Sequence, residues 1–294
     1  MAWQQLSLDT RYPDFAEEIL ESQGALSVSV LPAEGAESIF EPGPGETPQW
    51  SRARLTALFE EAADLDAVRL AVSELLPDAA EADPEQDEVA DTDWVRNCLD
   101  AMAPMRFGER LWIAPHHREV DDPTAVVVKL DPGLAFGTGT HPTTDLCLRW
   151  LDGAEIEGAR VLDYGCGSGI LAVAALALGA REAVGVDNDP QAVRATAENA
   201  RNNGVDERLR YGLSTEHDVG AGYDVVLANI LAEPLIRLAP TLLATLRPGG
   251  WIVLAGLLDR QAERVMEAYP GIDWQQASCD GWTRLAGCSK STAE

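Results

Sequence analysis

Apolar residues recur along the chain with two different rhythms, and the change between them divides it. Residues 3–9 alternate, with Gln4, Leu6 and Leu8 on the more apolar face, as in a half-buried strand. Tyr12, Phe15, Ala16, Ile19 and Leu20 fall at helical spacing, and Gly24 closes that helix. Leu26, Val28 and Val30 share one face of a second strand. A loop rich in proline and glycine follows at 41–46, and residues 52–60 fit a strand or a helix. Leu65, Val68, Val72, Leu75 and Leu76 mark a second amphipathic helix ending before Pro77. With a last strand near 84–90, the order strand–helix–strand–strand–helix–strand predicts a small ferredoxin-like α+β domain over residues 1–90. Residues 78–93 hold eight acids and no base, the composition of a solvated connector. Trp94, Val95, Leu99 and Met102 then outline a short helix stopped by Pro104, so residues 91–105 read as a linker helix.

From residue 106 to residue 294 the pattern becomes strand alternating with helix. Apolar runs at 125–130, 160–163, 183–187, 224–229 and 251–255 are separated by helical stretches at 143–151, 170–178, 190–203, 232–246 and 260–268. Pro190 opens one helix and Gly204 follows its end, as capping preferences expect. This alternation predicts a parallel sheet covered on both faces. The tail differs: residues 274–278 and 282–286 flank Cys279-Asp280-Gly281, which predicts a terminal antiparallel hairpin.

Composition narrows the function. The chain has 294 residues, of which 46% are hydrophobic and 24% charged, which are globular values. It has neither an eighteen-residue apolar run nor a secretory pattern at its start, so a soluble cytoplasmic protein without membrane contact is expected. The five cysteines form no CxxC pair, and nothing around His116-His117 has metal-ligand spacing, so no metal is expected. The formal net charge is −27, with −18 in residues 1–100 and −9 in the remainder. Such a surface repels phosphate backbones, which disfavours direct nucleic-acid binding. It suits a basic partner, or a salt-adapted proteome that charges every surface alike. The chain has only two lysines, Lys129 and Lys290, which keeps the second reading open.

Four segments carry chemistry. In Val161-Leu-Asp-Tyr-Gly-Cys-Gly-Ser-Gly169 a buried strand ends at Asp163, and Gly165, Gly167 and Gly169 turn into a helix. Glycines there let the backbone approach a ligand. The spacing is G-x-G-x-G rather than the dinucleotide G-x-G-x-x-G, and an acid precedes it where a pyrophosphate would be repelled. That combination suits S-adenosylmethionine, with its amino group and sulfonium. Asp187 ends the next strand, where a carboxylate can accept both ribose hydroxyls, and Asp189 reads as the cap of the following helix. Asn229 ends a third strand, in Ala228-Asn-Ile-Leu-Ala232, where its amide and nearby carbonyls can receive an incoming amine. The loop from Leu130 to Thr144, rich in glycine and threonine, can close over a cofactor, with Thr144 positioned to bond it. His141 in that loop is adjacent to Pro142 and reads as a loop-fixing residue rather than a base.

With these pieces together, the chain resembles the bacterial ribosomal protein L11 methyltransferase family almost end to end. The diagnostic stretches are Met105-Arg-Phe-Gly-Glu-Arg-Leu-Trp112, the loop from Asp131 to Thr144, the glycine motif and Ala228-Asn-Ile-Leu-Ala232. The resemblance implies a Rossmann-like, seven-stranded class I methyltransferase domain behind a small recognition domain. It implies S-adenosylmethionine as cofactor, with contacts from Thr144, Gly165, Gly167, Asp187 and Asn229. It also implies a large-subunit ribosomal protein as substrate, trimethylated on lysine side chains and its N-terminal α-amine. No dedicated catalytic base is expected, Asn229 positioning the amine, and the enzyme is expected to be a monomer. Another protein or a small amine is the alternative substrate on the same fold.

Overall fold

A computed structural model describes residues 2–33, 50–78, 82, 84–90, 103–130 and 141–290. The chain divides into two compact units, Met1–Trp94 and Val95–Glu294. The linker helix expected over 91–105 lies outside the described residues up to 102, and the loop segment 131–140 also lies outside them.

The first unit runs β1 (Ala2–Thr10), α1 (Pro13–Ser22), β2 (Ser27–Pro32), β3 (Ala53–Glu60), α2 (Leu65–Leu75) and β4 (Glu85–Ala90). The strand order is β2-β3-β1-β4 with every neighbouring pair antiparallel, which is the ferredoxin-like arrangement. The ambiguous segment is a strand because Ala53, Leu55, Ala57 and Phe59, at period two, are all fully buried against the helices. The side chain of Asp64 caps α2 by accepting from Ala67 N. Buried Asp78 accepts from the Thr10 hydroxyl at 2.7 Å and from Arg11 N at 2.8 Å, tying the end of α2 to the end of β1.

The second unit holds two sheets. The larger has the order β10-β9-β8-β11-β12-β14-β13, formed by β8 (Arg160–Tyr164), β9 (Glu182–Asp187), β10 (Leu209–Leu213), β11 (Tyr223–Asn229), β12 (Leu246–Leu258), β13 (Ile272–Cys279) and β14 (Trp282–Ser289). The first five positions are parallel; β14 runs antiparallel and inserts between β12 and β13. Both faces are covered, as the apolar runs require. Val161, Val225, Leu227, Val253 and Ala255 pack toward α3 (Pro142–Gly153) and α4 (Ile170–Ala177). Their alternates Leu162, Val226, Ala228, Ile252 and Leu254 pack toward α6 (Ala232–Thr245) and α7 (Ala262–Glu267). Helix α5 (Pro190–Asn202) adds Ala200 to the first face.

The structure corrects two expectations. The apolar run at 125–130 does form a strand, β7 (Val126–Lys129), but it pairs parallel with β6 (Leu111–Ala114) in a separate sheet completed by β5 (Met105–Phe107). What holds this small sheet is the carboxylate of Asp152 at the end of α3, which accepts from the successive backbone N–H groups of Glu109, Arg110 and Leu111. Strand β10 was not anticipated, because it is an edge strand in which Arg210 and Tyr211 are exposed and only Leu209 is buried. Among the described residues no helix is long and apolar enough to cross a membrane.

Candidate active site

Parallel strands all end on one edge of their sheet, and the residues singled out from the sequence meet there. A cleft of about 840 Å³ opens at the carboxyl ends of β8, β9, β10 and β11, with Gly165, Asp187, Ser214 and Asn229 in its wall. Tyr164, Ile230, Leu231, Arg237 and Trp282 complete much of the rest.

The turn after β8 is pinned to the next strand: Gly165 N and Cys166 N both donate to Val186 O, at 2.7 and 3.0 Å. Gly165 has φ +79°, and a Cβ built on it would lie 2.3 Å from Ile230 Cγ2. Only glycine satisfies both the left-handed backbone and the close approach of the neighbouring strand's loop. Gly167, at φ +55°, turns its N–H onto Asp187 Oδ2 at 2.9 Å. The other oxygen of Asp187 accepts from Asp189 N at 3.0 Å. A carboxylate has about four acceptor positions, so this anchored Asp187 keeps lone pairs for a ligand in the cleft. Asp189 itself caps α5 by accepting from Gln191 N.

Asp163 behaves differently from Asp187. Its side chain is buried, Oδ2 accepts from Ala172 N at 3.1 Å, and Oδ1 has no hydrogen-bond partner among the described residues. Burial pushes its pKa up to about 7; the Ala172 N–H opposes the rise and the nearby Asp187 carboxylate adds to it. Asp163 therefore supports the first turn of α4 beneath the glycine loop and does not line the cleft.

Asn229 lines the cleft, and its amide N–H donates to Thr144 Oγ1 at 3.4 Å. Its carbonyl oxygen Oδ1 is buried with no hydrogen-bond partner among the described residues. An acceptor left in that state is costly unless something donates to it. Thr144 is itself buried and reaches the site through Asn229. His141 caps α3: its Nδ1 contacts the Thr143 hydroxyl at 2.8 Å and accepts from Thr143 N at 3.3 Å. Its ring sits edge-on to Trp282, 4.8 Å between centroids, and burial holds its pKa below the usual imidazole value.

Thus Gly165, Asp187 and Asn229 lie in the cleft wall, while Gly167 and Thr144 stand one hydrogen bond behind it. The reading of the sequence missed Ser214 and Trp282. Ser214 follows the unanticipated β10, where its N donates to Asp187 O at 2.8 Å, and Trp282 opens β14. It also missed Gly256, whose φ of +85° interrupts β12 and lets Ile230 N donate to Ala255 O at 3.1 Å. A Cβ at Gly256 would lie 2.4 Å from Ile230 O, so this glycine lets the loop after Asn229 lie against β12.

Comparison with known proteins agrees with this geometry. A family model described as Ribosomal protein L11 methyltransferase (PrmA) matches residues 2–290. The ribosomal protein L11 methyltransferase of Methylococcus capsulatus is 50% identical over 295 residues, covering 98% of this chain and 100% of that protein. Its counterpart from Pseudomonas paraeruginosa is 49% identical, covering 98% of each. A crystal structure of ribosomal protein L11 methylase from Lactobacillus delbrueckii subsp. bulgaricus superposes with a TM-score of 0.59 at 31% identity, covering 64% of this chain and 100% of that chain.

Proposed function

The chain belongs to the ribosomal protein L11 methyltransferase family, and from that premise we propose how its cleft performs the family's reaction. It transfers methyl groups from S-adenosylmethionine to ribosomal protein L11. When bound, that cofactor supplies a methyl group on a sulfonium, which an amine can displace in line.

The donors and acceptors present fit the cofactor. Asp187 offers acceptor positions for the two ribose hydroxyls while Gly167 N holds it in place. Gly165 removes the side chain that would block the backbone's approach. Asp163, largely shielded behind them, keeps the turn in shape through Ala172 N.

The observation that carries the reading of the amine site is the buried, unpartnered Oδ1 of Asn229. An amine N–H donating there satisfies the orphan acceptor and directs the nitrogen lone pair into the cleft. Thr144 fixes which way the amide faces by accepting from its Nδ2. An ammonium has no lone pair, so the amine must first lose a proton; an apolar wall of Ile230 and Leu231 favours the neutral form by desolvation. Among the described residues, no side chain in the wall is poised to take that proton. His141 spends Nδ1 on Thr143, which leaves water as the acceptor. The protein's contribution is then orientation and proximity. One neutral acceptor grips an amine lightly enough for it to turn between transfers; the dimethylated amine has no N–H left to donate, so its transfer rests on proximity alone, and this reading supports trimethylation of lysine side chains and of the N-terminal α-amine.

The first unit is the recognition domain in this reading. Its support is electrostatic: residues 1–100 carry −18 of the net charge, complementary to a lysine-bearing substrate. A ribosomal-protein substrate also supports a cytoplasmic location in this reading. The test is to incubate the protein with labelled S-adenosylmethionine and ribosomal protein L11, and to map methyl groups by mass. Trimethylated amines that fall to lower methylation states in Asn229→Ala are expected. Full trimethylation by Asn229→Ala overturns the assignment of the amine site. Methyl transfer unchanged by added salt overturns the role given to the acidic unit.

A further inference from the structure

The second unit has another cavity, of about 790 Å³, on the opposite edge of the same sheet. Its wall takes residues from just before β8 and from the starts of β11 and β12, so it faces away from the methyl-transfer cleft. The chemistry of this wall is unusual for so acidic a chain, because three arginines line it: Arg149, Arg247 and Arg284.

Two of the three have counter-ions. Arg149 pairs with Asp145 at 2.7 Å, one turn back along α3, and Arg247 pairs with Asp224 at 2.5 Å. Arg284 does not. Its Nε is buried with no hydrogen-bond partner, and no carboxylate pairs with its guanidinium among the described residues. The ionisable group nearest to compensating it is Cys147, whose thiol burial pushes up to about 12, so it stays neutral and supplies no charge. A half-buried cation without a counter-ion is costly to hold. The fold keeps one at the wall of a cavity large enough for a small organic molecule.

The rest of the wall selects the class of anion. Glu155 and Glu157 stand exposed at the rim and oppose a multiply charged ligand. Among the described residues Arg284 alone of the three arginines lacks a counter-ion, and a guanidinium's planar two-pronged fork matches a single carboxylate. Beside it Trp150 and Trp251 pack at 5.8 Å between ring centroids and give an apolar wall. We propose that this cavity is a second ligand site, in which Arg284 receives the carboxylate of an organic monoanion whose apolar body rests on Trp150 and Trp251. The carboxylate can come from a free acid or from the C-terminus of a polypeptide, and the same wall serves both.

The test is calorimetric titration of the full-length protein with benzoate and with N-acetylphenylalanine, using N-acetylphenylalaninamide as the uncharged control and inorganic phosphate as the multiply charged one. Saturable binding of a carboxylate at millimolar concentration is expected, with neither control binding. Benzoate binding alone identifies a free acid, and tighter binding of N-acetylphenylalanine identifies a chain terminus. Arg284→Met is expected to weaken the carboxylate at least tenfold, and Arg284→Lys to retain part of the affinity. Unchanged affinity for S-adenosylhomocysteine in both variants shows that the fold and the distant cleft are intact. The proposal is overturned if the wild type binds neither carboxylate at millimolar concentration, if Arg284→Met binds it equally well, or if phosphate binds as tightly.

Discussion

Asp163→Asn isolates one buried charge and tests whether it strains the folded state. The wild-type carboxyl has its pKa pushed up to about 7 from 3.8, first by burial, against the opposing bond from Ala172 N. The folded state therefore holds the proton more tightly than the unfolded chain does. Stability from this group is fully present below the unfolded value and falls as pH rises toward the folded one. Raising the carboxyl's pKa this far corresponds to about 4 kcal/mol in all, of which about 2–3 kcal/mol is lost between pH 5 and pH 8. Asparagine keeps the acceptor for Ala172 N and carries no charge at either pH, so it removes this dependence. Urea unfolding of both proteins at the two pH values is the assay, and the first unit's contribution cancels in the difference. The variant should gain about 2–3 kcal/mol on the wild type between pH 5 and pH 8. An equal difference at both pH values would show that Asp163 is not held in its protonated form, and the account of it as a shielded support for the glycine loop fails with it.

Three other substitutions test separate parts of the site and its frame. Asp187→Ala removes the acceptor assigned to the ribose hydroxyls and frees Gly167 N, so affinity for S-adenosylhomocysteine should fall about 10–100-fold by calorimetry; unchanged affinity refutes the assignment. Gly165→Ala puts a methyl group at a φ of +79° against Ile230, and should cost about 2 kcal/mol or more in urea unfolding together with cofactor affinity. A variant as stable as the wild type would show that the turn can move away from the loop after Asn229. Asp152→Ala strips the acceptor from three successive backbone N–H groups and should destabilise the second unit by about 2–4 kcal/mol. A much smaller loss, read by thermal unfolding, would show that the three-stranded sheet is held by its apolar contacts alone.

The strand-end residues of the candidate site are legible in the sequence because parallel strands carry direction with them. Asp163, Asp187 and Asn229 each close an apolar run that precedes a helix, and every such run delivers its last residue to the same edge. Burial on both faces makes those runs stand out. The same logic explains what stayed hidden. Edge strand β10 needs only Leu209 in the core, so no apolar run marks it, and Ser214 at its end could not be placed. The run at 125–130 looks like a core strand because Val128 and Leu130 are buried, but β7 is covered by α4 and belongs to the small sheet that Asp152 secures. No local pattern separates those two kinds of burial.

The terminal hairpin forms as expected, and its place in the sheet is what the sequence leaves open. Its turn at Cys279-Asp280-Gly281 is plain in the sequence, yet the hairpin's partner is not: β14, the later strand, pairs with β12, and β13 takes the edge. Because β14 runs against the parallel strands, its first residue arrives at the edge where theirs end. Trp282 is thereby placed in the methyl-transfer cleft, opposite Leu258 at the end of β12 and edge-on to His141. Two residues later, on the same face and further toward the amino edge, Arg284 lines the other cavity. Helix α3 covers this face with the same polarity, with its cap His141 in the cleft wall and Trp150 in the wall of the other cavity. One antiparallel strand and one helix therefore furnish walls to both cavities. A residue's distance from the glycine motif along the chain says nothing about this; the direction of the strand that carries it decides which cavity it serves.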